Sequence, residues 1–252
     1  MIDAAEASAQ WRIGTVTAIW SETSAVKTIA FDVPDWPGHL PGQHLDIRLT
    51  AADGYVAQRS YSIASAPERT NTIQITVAAV PDGEASEFLL EELRIGDRIE
   101  LRGPIGRYFA WSPDHDHGLL LVAGGSGIVP LMAILRTRAA AGAVEPARLL
   151  YSSRTVDQII YRDELDTLAA RGDGLTVTQT LTRGAPPGWT GERGRIGRIM
   201  LKRQGFAPDG RPDIYVCGPT AFVETVAEHL TAIGHAPGRI RTERFGPSGE
   251  FR

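Results

Sequence analysis

The clearest candidate for chemistry in this 252-residue sequence is a glycine-rich turn. The apolar residues 119–123 lead into residues 124–127 (GGSG), and a helical pattern begins at about Pro130. Glycines allow backbone N–H groups to approach a ligand closely, and the N-terminus of a helix favours negative charge. The turn lacks the Gly-Lys-Ser/Thr of a P-loop and the spacing of a hydrolase nucleophile, and Pro130 replaces the third glycine of the dinucleotide motif. It therefore predicts a phosphate-binding turn, with a tight turn that binds nothing as the alternative.

A second strand–turn–helix stretch contains the only cysteine of the sequence. Cys217 ends a predicted strand and is followed by Gly218 and Pro219. A lone cysteine is usually buried packing. Its position at the carboxyl end of a strand, beside Gly-Pro, nevertheless makes it a candidate site residue.

Two further stretches combine residue types that suit a phosphorylated aromatic ligand. Residues 59–63 (RSYSI) end a strand with an arginine, an aromatic ring and two hydroxyls. Residues 83–86 (GEAS) begin a helical stretch with small side chains, where a phosphate could be received. Each stretch alone is a weak signal.

The part of the chain before residue 113 reads as an antiparallel barrel. Short stretches rich in β-branched residues alternate with Gly, Pro, Asp and Asn, which is typical of strands and turns. The six predicted strands are residues 12–20, 26–33, 43–49, 55–63, 72–80 and 97–102, with one helical stretch at 84–93.

After residue 113 strands alternate with helices, which predicts a Rossmann-like α/β domain with a parallel five-stranded sheet. The predicted strands are residues 118–123, 147–152, 175–180, 213–217 and 240–243, and the helices are 129–141, 162–170, 196–203 and 221–233. Such sheets bind ligands at the carboxyl ends of their strands. The polar segment 111–118 is the expected connection, so the predicted domains are 1–112 and 113–252.

Composition excludes several classes of protein. Hydrophobic residues at 42% and charged residues at 22% are ordinary for a globular protein, and the net charge of −4 argues against nucleic-acid and anionic-membrane partners. One cysteine excludes a disulfide framework and a Cys-ligated zinc or iron–sulfur site within these residues, and we expect no metal. The N-terminus lacks the features of a signal peptide, and no apolar run is long enough to span a bilayer. We therefore expect a cytoplasmic protein.

Positive charge is concentrated in one segment of this acidic chain. Residues 148–203 contain 10 basic and 6 acidic side chains, a local balance of +4. An excess of arginine there could receive an anionic ligand, or it could be a solvated mixture of surface charges.

Taken together, the motifs resemble the ferredoxin–NADP reductase family over about residues 11–246. The matching motifs, in order, are RSYS (59–62), GEAS (83–86), GPIG (103–106), GGSGIVP (124–130), YVCGP (215–219) and ERFG (243–246). The resemblance implies a six-stranded antiparallel flavin-binding barrel followed by a nicotinamide-nucleotide domain.

The resemblance also implies which residues hold the cofactors. Those expected to bind the flavin are Arg59, Ser60, Tyr61, Ser62, Ile63, Thr76, Val77, Ala78, Gly83, Glu84, Ala85, Ser86 and Phe245. Those expected to bind the nicotinamide nucleotide are Gly124, Gly125, Ser126, Gly127, Ser153, Arg154, Arg183, Arg195, Cys217, Gly218 and Pro219. Arg59 would neutralise a flavin phosphate, Tyr61 would stack on the isoalloxazine, and Ser86 would help to cap the pyrophosphate. Ser62, Cys217 and Glu243 would align the reacting rings without acting as nucleophiles.

The resemblance favours FAD over FMN and NADPH over NADH. Arg59 suits a diphosphate, although FMN-using relatives share its motif. Arg154 and Arg183 follow predicted strands at the edge where the ribose should lie, and no acidic residue ends strand 147–152, where an NAD site often has one.

The implied activity passes a hydride from NADPH to FAD and electrons onward to a separate acceptor. Because the sequence ends at Arg252 without a Cys-rich ferredoxin module, we expect that acceptor to be ferredoxin, flavodoxin or an oxygenase component. The alternative is a nucleotide-binding electron-transfer subunit of a larger complex without independent turnover. A hydrolase is disfavoured because no Ser–His–acid arrangement is legible.

Overall fold

The computed structural model describes residues 10–51, 53–68, 70–80, 83–113 and 117–246. The chain divides into two compact units. The first comprises Met1–Ser112 with Met132–Thr137, and the second comprises Pro113–Leu131 with Arg138–Arg252.

The first unit contains a six-stranded antiparallel sheet in the order β4-β3-β6-β1-β2-β5. Its strands are β1 Trp11–Thr23, β2 Val26–Asp32, β3 His44–Thr50, β4 Val56–Ser62, β5 Thr72–Ala78 and β6 Arg98–Ile105. A bridge between Ile63 and Ile75 joins the end of β4 to β5, so the two ends of the sheet meet. The predicted six-stranded antiparallel barrel is confirmed.

The predicted helical stretch of the barrel changes its winding midway. It begins as α1 (Glu84–Glu87) and continues as a π-helical segment (Phe88–Glu92). The Leu93 N–H donates to the carbonyl oxygen of Phe88 at 3.0 Å, five residues back. Leu89, Leu90 and Leu93 are buried in the barrel core, so the predicted helical stretch is confirmed, and the structure adds that its second half is π-helical.

A buried carboxylate on the other face of the sheet connects four strands. Trp11, Arg102, Asp46 and Ser60 lie opposite one another across β1, β6, β3 and β4. Asp46 is only 5% exposed. Its carboxylate accepts hydrogen bonds from Ser60 Oγ at 2.6 Å, from Gln58 Nε2 at 3.0 Å and from Arg102. The Arg102 guanidinium also lies 5.0 Å from the centre of the Trp11 ring, so side-chain contacts link each residue of this row to the next.

The second unit contains a six-stranded parallel sheet in the order β10-β9-β8-β7-β11-β12. Its strands are β7 Leu119–Gly124, β8 Ala147–Ser153, β9 Leu175–Leu181, β10 Glu192–Arg193, β11 Asp213–Pro219 and β12 Ile240–Phe245. Its helices are α2 Ile128–Ala140, α3 Arg162–Ala169, α4 Arg198–Gln204 and α5 Thr220–Ile233. Short 3-10 turns occupy Gly125–Gly127, Val156–Gln158, Pro208–Gly210 and Pro237–Arg239.

The predicted parallel α/β sheet is confirmed, and the structure adds one strand to the five expected. β10 pairs with β9 only through Glu192 opposite Thr180 and Arg193 opposite Leu181. Two residues cannot display a periodic pattern, so sequence reasoning had no signal for this strand. Within the described ranges, none of the helices has the length and apolar character needed to cross a bilayer.

Candidate cofactor-binding sites

The pairing of β4 with β3 decides which side chains of the RSYS motif lie together. Tyr61 lies opposite Leu45 and Arg59 lies opposite Ile47. Residues opposite one another share a face of the sheet, and neighbours along a strand alternate. Tyr61 and Arg59 are therefore on the face of the core residues, whereas Ser60 and Ser62 are on the opposite face.

Tyr61 and Arg59 provide an aromatic ring beside a cation that reaches solvent. The Tyr61 ring packs against the barrel core, and burial raises the pKa of its phenol to about 12, partly offset by the charge of Arg59. The phenol therefore stays protonated at neutral pH. The Arg59 side chain is exposed, and its guanidinium donates to the carbonyl of Gln58 at 2.7 Å.

The edge of β4 that carries these residues faces an opening in the sheet. Beyond the Ile63–Ile75 bridge, no further β4–β5 pairing occurs among the described residues. Continuing that antiparallel register would bring Tyr61 opposite Val77. Because the Val77 side chain is buried in the core, only the backbone of Val77 could face a ligand, and its role in flavin binding stays a prediction. An aromatic ring, a cation and open strand edges fit a flavin with its phosphate.

The predicted phosphate cap is a tight turn whose side chain already has partners. Ser86 is buried, and its hydroxyl donates to the Gly83 carbonyl at 2.8 Å and accepts from the Val80 N–H at 3.3 Å. A Cβ at Gly83 would lie 2.7 Å from Ser86 Oγ. The Ser86 hydroxyl thus shapes the turn. A cap by residues 84–86 would have to use backbone groups and stays a prediction.

The glycines of the GGSG turn have two different roles in the second unit. A Cβ at Gly127 would meet the Cys217 carbonyl and lie 2.7 Å from the Gly218 nitrogen, and a Cβ at Gly124 would lie 2.9 Å from the Phe222 ring. These two glycines are required by packing against β11 and α5. Gly125 has φ of +56° and nothing within 4 Å of its missing Cβ, so its backbone is the part of the turn open to a ligand.

Three arginines follow three neighbouring strands at the carboxyl end of the sheet. Arg154, Arg183 and Arg195 come after β8, β9 and β10, and the Arg183 N–H donates to the Arg154 carbonyl at 2.9 Å. All three side chains are exposed, and none forms an ion pair within the described part of the chain.

One buried hydroxyl beneath this edge lacks a hydrogen-bond partner. Ser153, the last residue of β8, is 5% exposed, and its Oγ has no partner among the described residues. An unpaired buried polar atom costs free energy, and it often marks the place of an absent ligand or water. With the three arginines, it makes this edge fit a phosphorylated nucleotide.

Two of the three predicted alignment residues are neighbours in the structure. Cys217 in β11 lies opposite Glu243 in β12. Burial, and then the charge of Glu243, raises the pKa of the Cys217 thiol, which therefore stays protonated. Phe245 ends β12 opposite Pro219. Ser62 belongs to the first unit.

Sequence reasoning missed one residue that positions the site of the first unit. Asp46 holds Ser60 and thereby β4, but a single aspartate inside a strand carries no motif.

Family models match both units. The model described as "Oxidoreductase FAD-binding domain" matches residues 14–110, and the model described as "Oxidoreductase NAD-binding domain" matches residues 121–228. The matches follow the order of the two units along the chain.

Similar curated proteins are reductases. Ferredoxin–NADP reductase B of Sorangium cellulosum is 34% identical over 227 residues, which is 87% of this chain and 91% of that protein. The glycine betaine monooxygenase reductase subunit of Pseudomonas aeruginosa is 33% identical over 231 residues, which is 90% of this chain and 62% of that protein. The chain thus spans about three fifths of the length of such oxygenase reductase subunits.

Solved structures share the whole fold. The flavohem-like FAD/NAD-binding domain of a nitric oxide dioxygenase from Vibrio cholerae has a TM-score of 0.83 at 25% identity, covering 94% of this chain and 99% of that one. The ferredoxin reductase in carbazole 1,9a-dioxygenase has a TM-score of 0.80 at 26% identity, covering 94% and 70%.

The two roles of the glycines predict different costs for the same substitution. Gly127→Ala should lower the free energy of unfolding by about 3 kcal/mol or more, because its methyl group collides with the β11 backbone. Gly125→Ala should cost about 1 kcal/mol, from the left-handed backbone alone. Urea unfolding of both variants beside the unsubstituted protein measures this, and equal losses would contradict the assignment.

Proposed function

The chain belongs to the ferredoxin–NADP reductase family, and from this premise we propose that it moves electrons from NADPH through FAD to a separate acceptor. The observation that carries the proposal is the presence on one chain of two complementary sites. One has an aromatic ring, a cation and open strand edges, and the other has an open glycine and three exposed arginines. In the proposal, residues 1–112 hold the flavin and residues 113–252 hold the nicotinamide nucleotide.

FAD, when bound, accepts a hydride from the nicotinamide and passes electrons onward singly or in pairs. The residues of the chain contribute positioning and electrostatics. Tyr61 offers a neutral ring for stacking, and Arg59 offers a cation for phosphate. Ser62, the last residue of β4, lies on the face opposite Tyr61, so only its place at the end of the strand supports the proposed hydrogen bond to the reacting edge of the flavin.

Cys217 and Glu243 act in the proposal without covalent chemistry. The buried thiol stays protonated because burial and Glu243 both raise its pKa, so Cys217 is a poor nucleophile. Cys217 lies near the carboxyl end of β11, and Glu243 lies opposite it in β12.

The preference for NADPH rests on Arg154, Arg183 and Arg195. The three exposed residues follow three adjacent strands at their carboxyl ends, and a planar guanidinium suits a phosphate. The Ser153 hydroxyl, which has no hydrogen-bond partner in the part of the chain that the structure describes, is the proposed partner of a ribose or phosphate oxygen.

We propose a separate protein as acceptor, either a one-electron carrier such as ferredoxin or flavodoxin or an oxygenase component. Similar proteins are named as reductase subunits and ferredoxin reductase components of oxygenases, and as a ferredoxin–NADP reductase. The single cysteine means that these 252 residues contain no Cys-ligated cluster of their own. We also propose a cytoplasmic location, because one cysteine cannot form a disulfide within these residues.

Anaerobic reduction tests the proposed function. The purified protein should show a flavin absorption spectrum, and addition of NADPH without oxygen should bleach it. A flavin spectrum that neither NADPH nor NADH changes would contradict the proposal and favour a subunit without its own turnover.

Substitution of Arg183 tests the choice of nucleotide. Arg183→Ala should raise the KM for NADPH about tenfold, because a charge-assisted bond to the 2′-phosphate is lost, and it should leave the KM for NADH unchanged. Arg162→Ala is the matched control, since Arg162 is an exposed arginine at the start of α3. Equal effects of Arg183→Ala on both nucleotides would contradict the assignment.

A further inference from the structure

The GPIG turn (103–106) is a motif of the sequence to which the proposed function gives no role. Its first three residues end β6, and Gly106 follows with φ of +92°. A Cβ at Gly106 would lie 3.4 Å from the His44 ring, and a Cβ at Gly103 would lie 3.1 Å from the Cβ of Leu45. The turn therefore packs directly against the start of β3.

The side chain of Gln43, the residue before β3, bonds to this turn. Gln43 is only 8% exposed. Its Nε2 donates to the Gly106 carbonyl at 2.5 Å, and its Oε1 accepts from the Leu40 N–H at 2.7 Å. Buried polar groups are normally hydrogen-bonded, and here both ends of a neutral amide are used. The amide fixes the segment before β3 against the end of β6.

The main chain of Gln43 bonds to the end of the RSYS stretch. The Gln43 carbonyl accepts from the Ile63 N–H at 3.0 Å, directly after Ser62, the last residue of β4. The next residue, His44, lies opposite Ser62 in β4 and opposite Ile105 in β6. One buried residue therefore joins the ends of β4 and β6.

The residues that follow β4 are held from the other side by β5. The Ala64 N–H donates to the Gln74 carbonyl at 2.7 Å, whereas Gln43 binds the same segment from the side of β3. Without the amide bonds, segment 40–43 would no longer be fixed against the GPIG turn, and the end of β4 could shift with it. A displacement of about 1 Å can slow a catalysed reaction about a hundredfold.

We propose that Gln43 is a positioning residue of the flavin site, whose amide fixes the GPIG turn and the end of the RSYS motif relative to each other. The inference rests on the proposed function, since it takes the reacting edge of the flavin to lie at the end of β4. Gln43 itself touches no reacting atom. It sets the place of Ser62 and of the Ile63 backbone, which in turn align the flavin for hydride transfer.

Flavin reduction by NADPH, followed by stopped-flow absorbance, tests the proposal. Gln43→Leu keeps the approximate size of the side chain and removes both amide bonds. It should slow flavin reduction at saturating NADPH about tenfold, while FAD stays bound and the NADPH concentration for half-maximal rate is unchanged. A side chain that only stabilises the fold would lower the melting temperature and leave that rate unchanged.

Gln43→Glu separates the two bonds of the amide. A carboxylate can accept from the Leu40 N–H but cannot donate to the Gly106 carbonyl, whereas a protonated carboxyl group can do both. Relative to the unsubstituted protein at the same pH, Gln43→Glu should reduce flavin slowly at about pH 8 and recover toward about pH 5, because burial raises the pKa of the introduced carboxyl. Comparison at each pH removes the effect of the adjacent His44, which titrates as well.

Gln204→Leu is the control, because Gln204 is a half-buried glutamine of the second unit whose amide donates to Glu192, and it should leave the rate of flavin reduction unchanged. If Gln43→Leu is reduced at the unsubstituted rate, or if Gln43→Glu does not recover at acid pH, the positioning role is wrong while the proposed function stands. Should Gln43→Leu fail to fold, the pH dependence of Gln43→Glu decides alone. If NADPH does not reduce the flavin of the unsubstituted protein, the proposed function fails and the inference fails with it.

Discussion

The position of β4, and so of its residues Tyr61 and Arg59, depends on the buried carboxylate of Asp46. Desolvation raises the pKa of this carboxyl group. Hydrogen bonds from Ser60 and Arg102 and the charges of Arg102 and His44 lower the pKa by more, so it lies below its usual value. A buried charge is tolerated only with such partners, and removing one leaves it uncompensated. Because Ser60 belongs to β4, this requirement fixes the register of β4 against β3.

That register determines which face of the sheet each side chain of the RSYS motif occupies. A slip by one residue would exchange the two faces of the strand, placing Ser60 toward the core and Arg59 and Tyr61 toward Asp46. In the observed register the Tyr61 ring packs against the core, and the exposed Arg59 side chain belongs to the same face of the sheet. The second unit has a comparable constraint, since Gly127 must lack a side chain for the GGSG turn to lie against the Cys217 carbonyl.

Much of the fold was predictable because its signals are local. Alternation over short stretches predicted the barrel strands, and the continuous apolar run of β7 predicted a buried parallel strand. The roles of individual glycines were not predictable, because whether a methyl group fits at Gly124 depends on the ring of Phe222, far along the chain. Likewise Arg154 and Arg183 could be placed after their predicted strands, whereas the strand before Arg195 could not be predicted. The hydrogen-bond partners of Asp46 come from two other strands, β4 and β6, which are far apart in sequence.

The proposed function depends on FAD being held by the first unit, with Tyr61 and Arg59 of β4 at the flavin and its phosphate. The most direct measurement is to release the chromophore of the purified protein by heat and identify it by mass. The account predicts FAD in an amount equal to that of the protein. Recovery of FMN, or of no flavin, would contradict it.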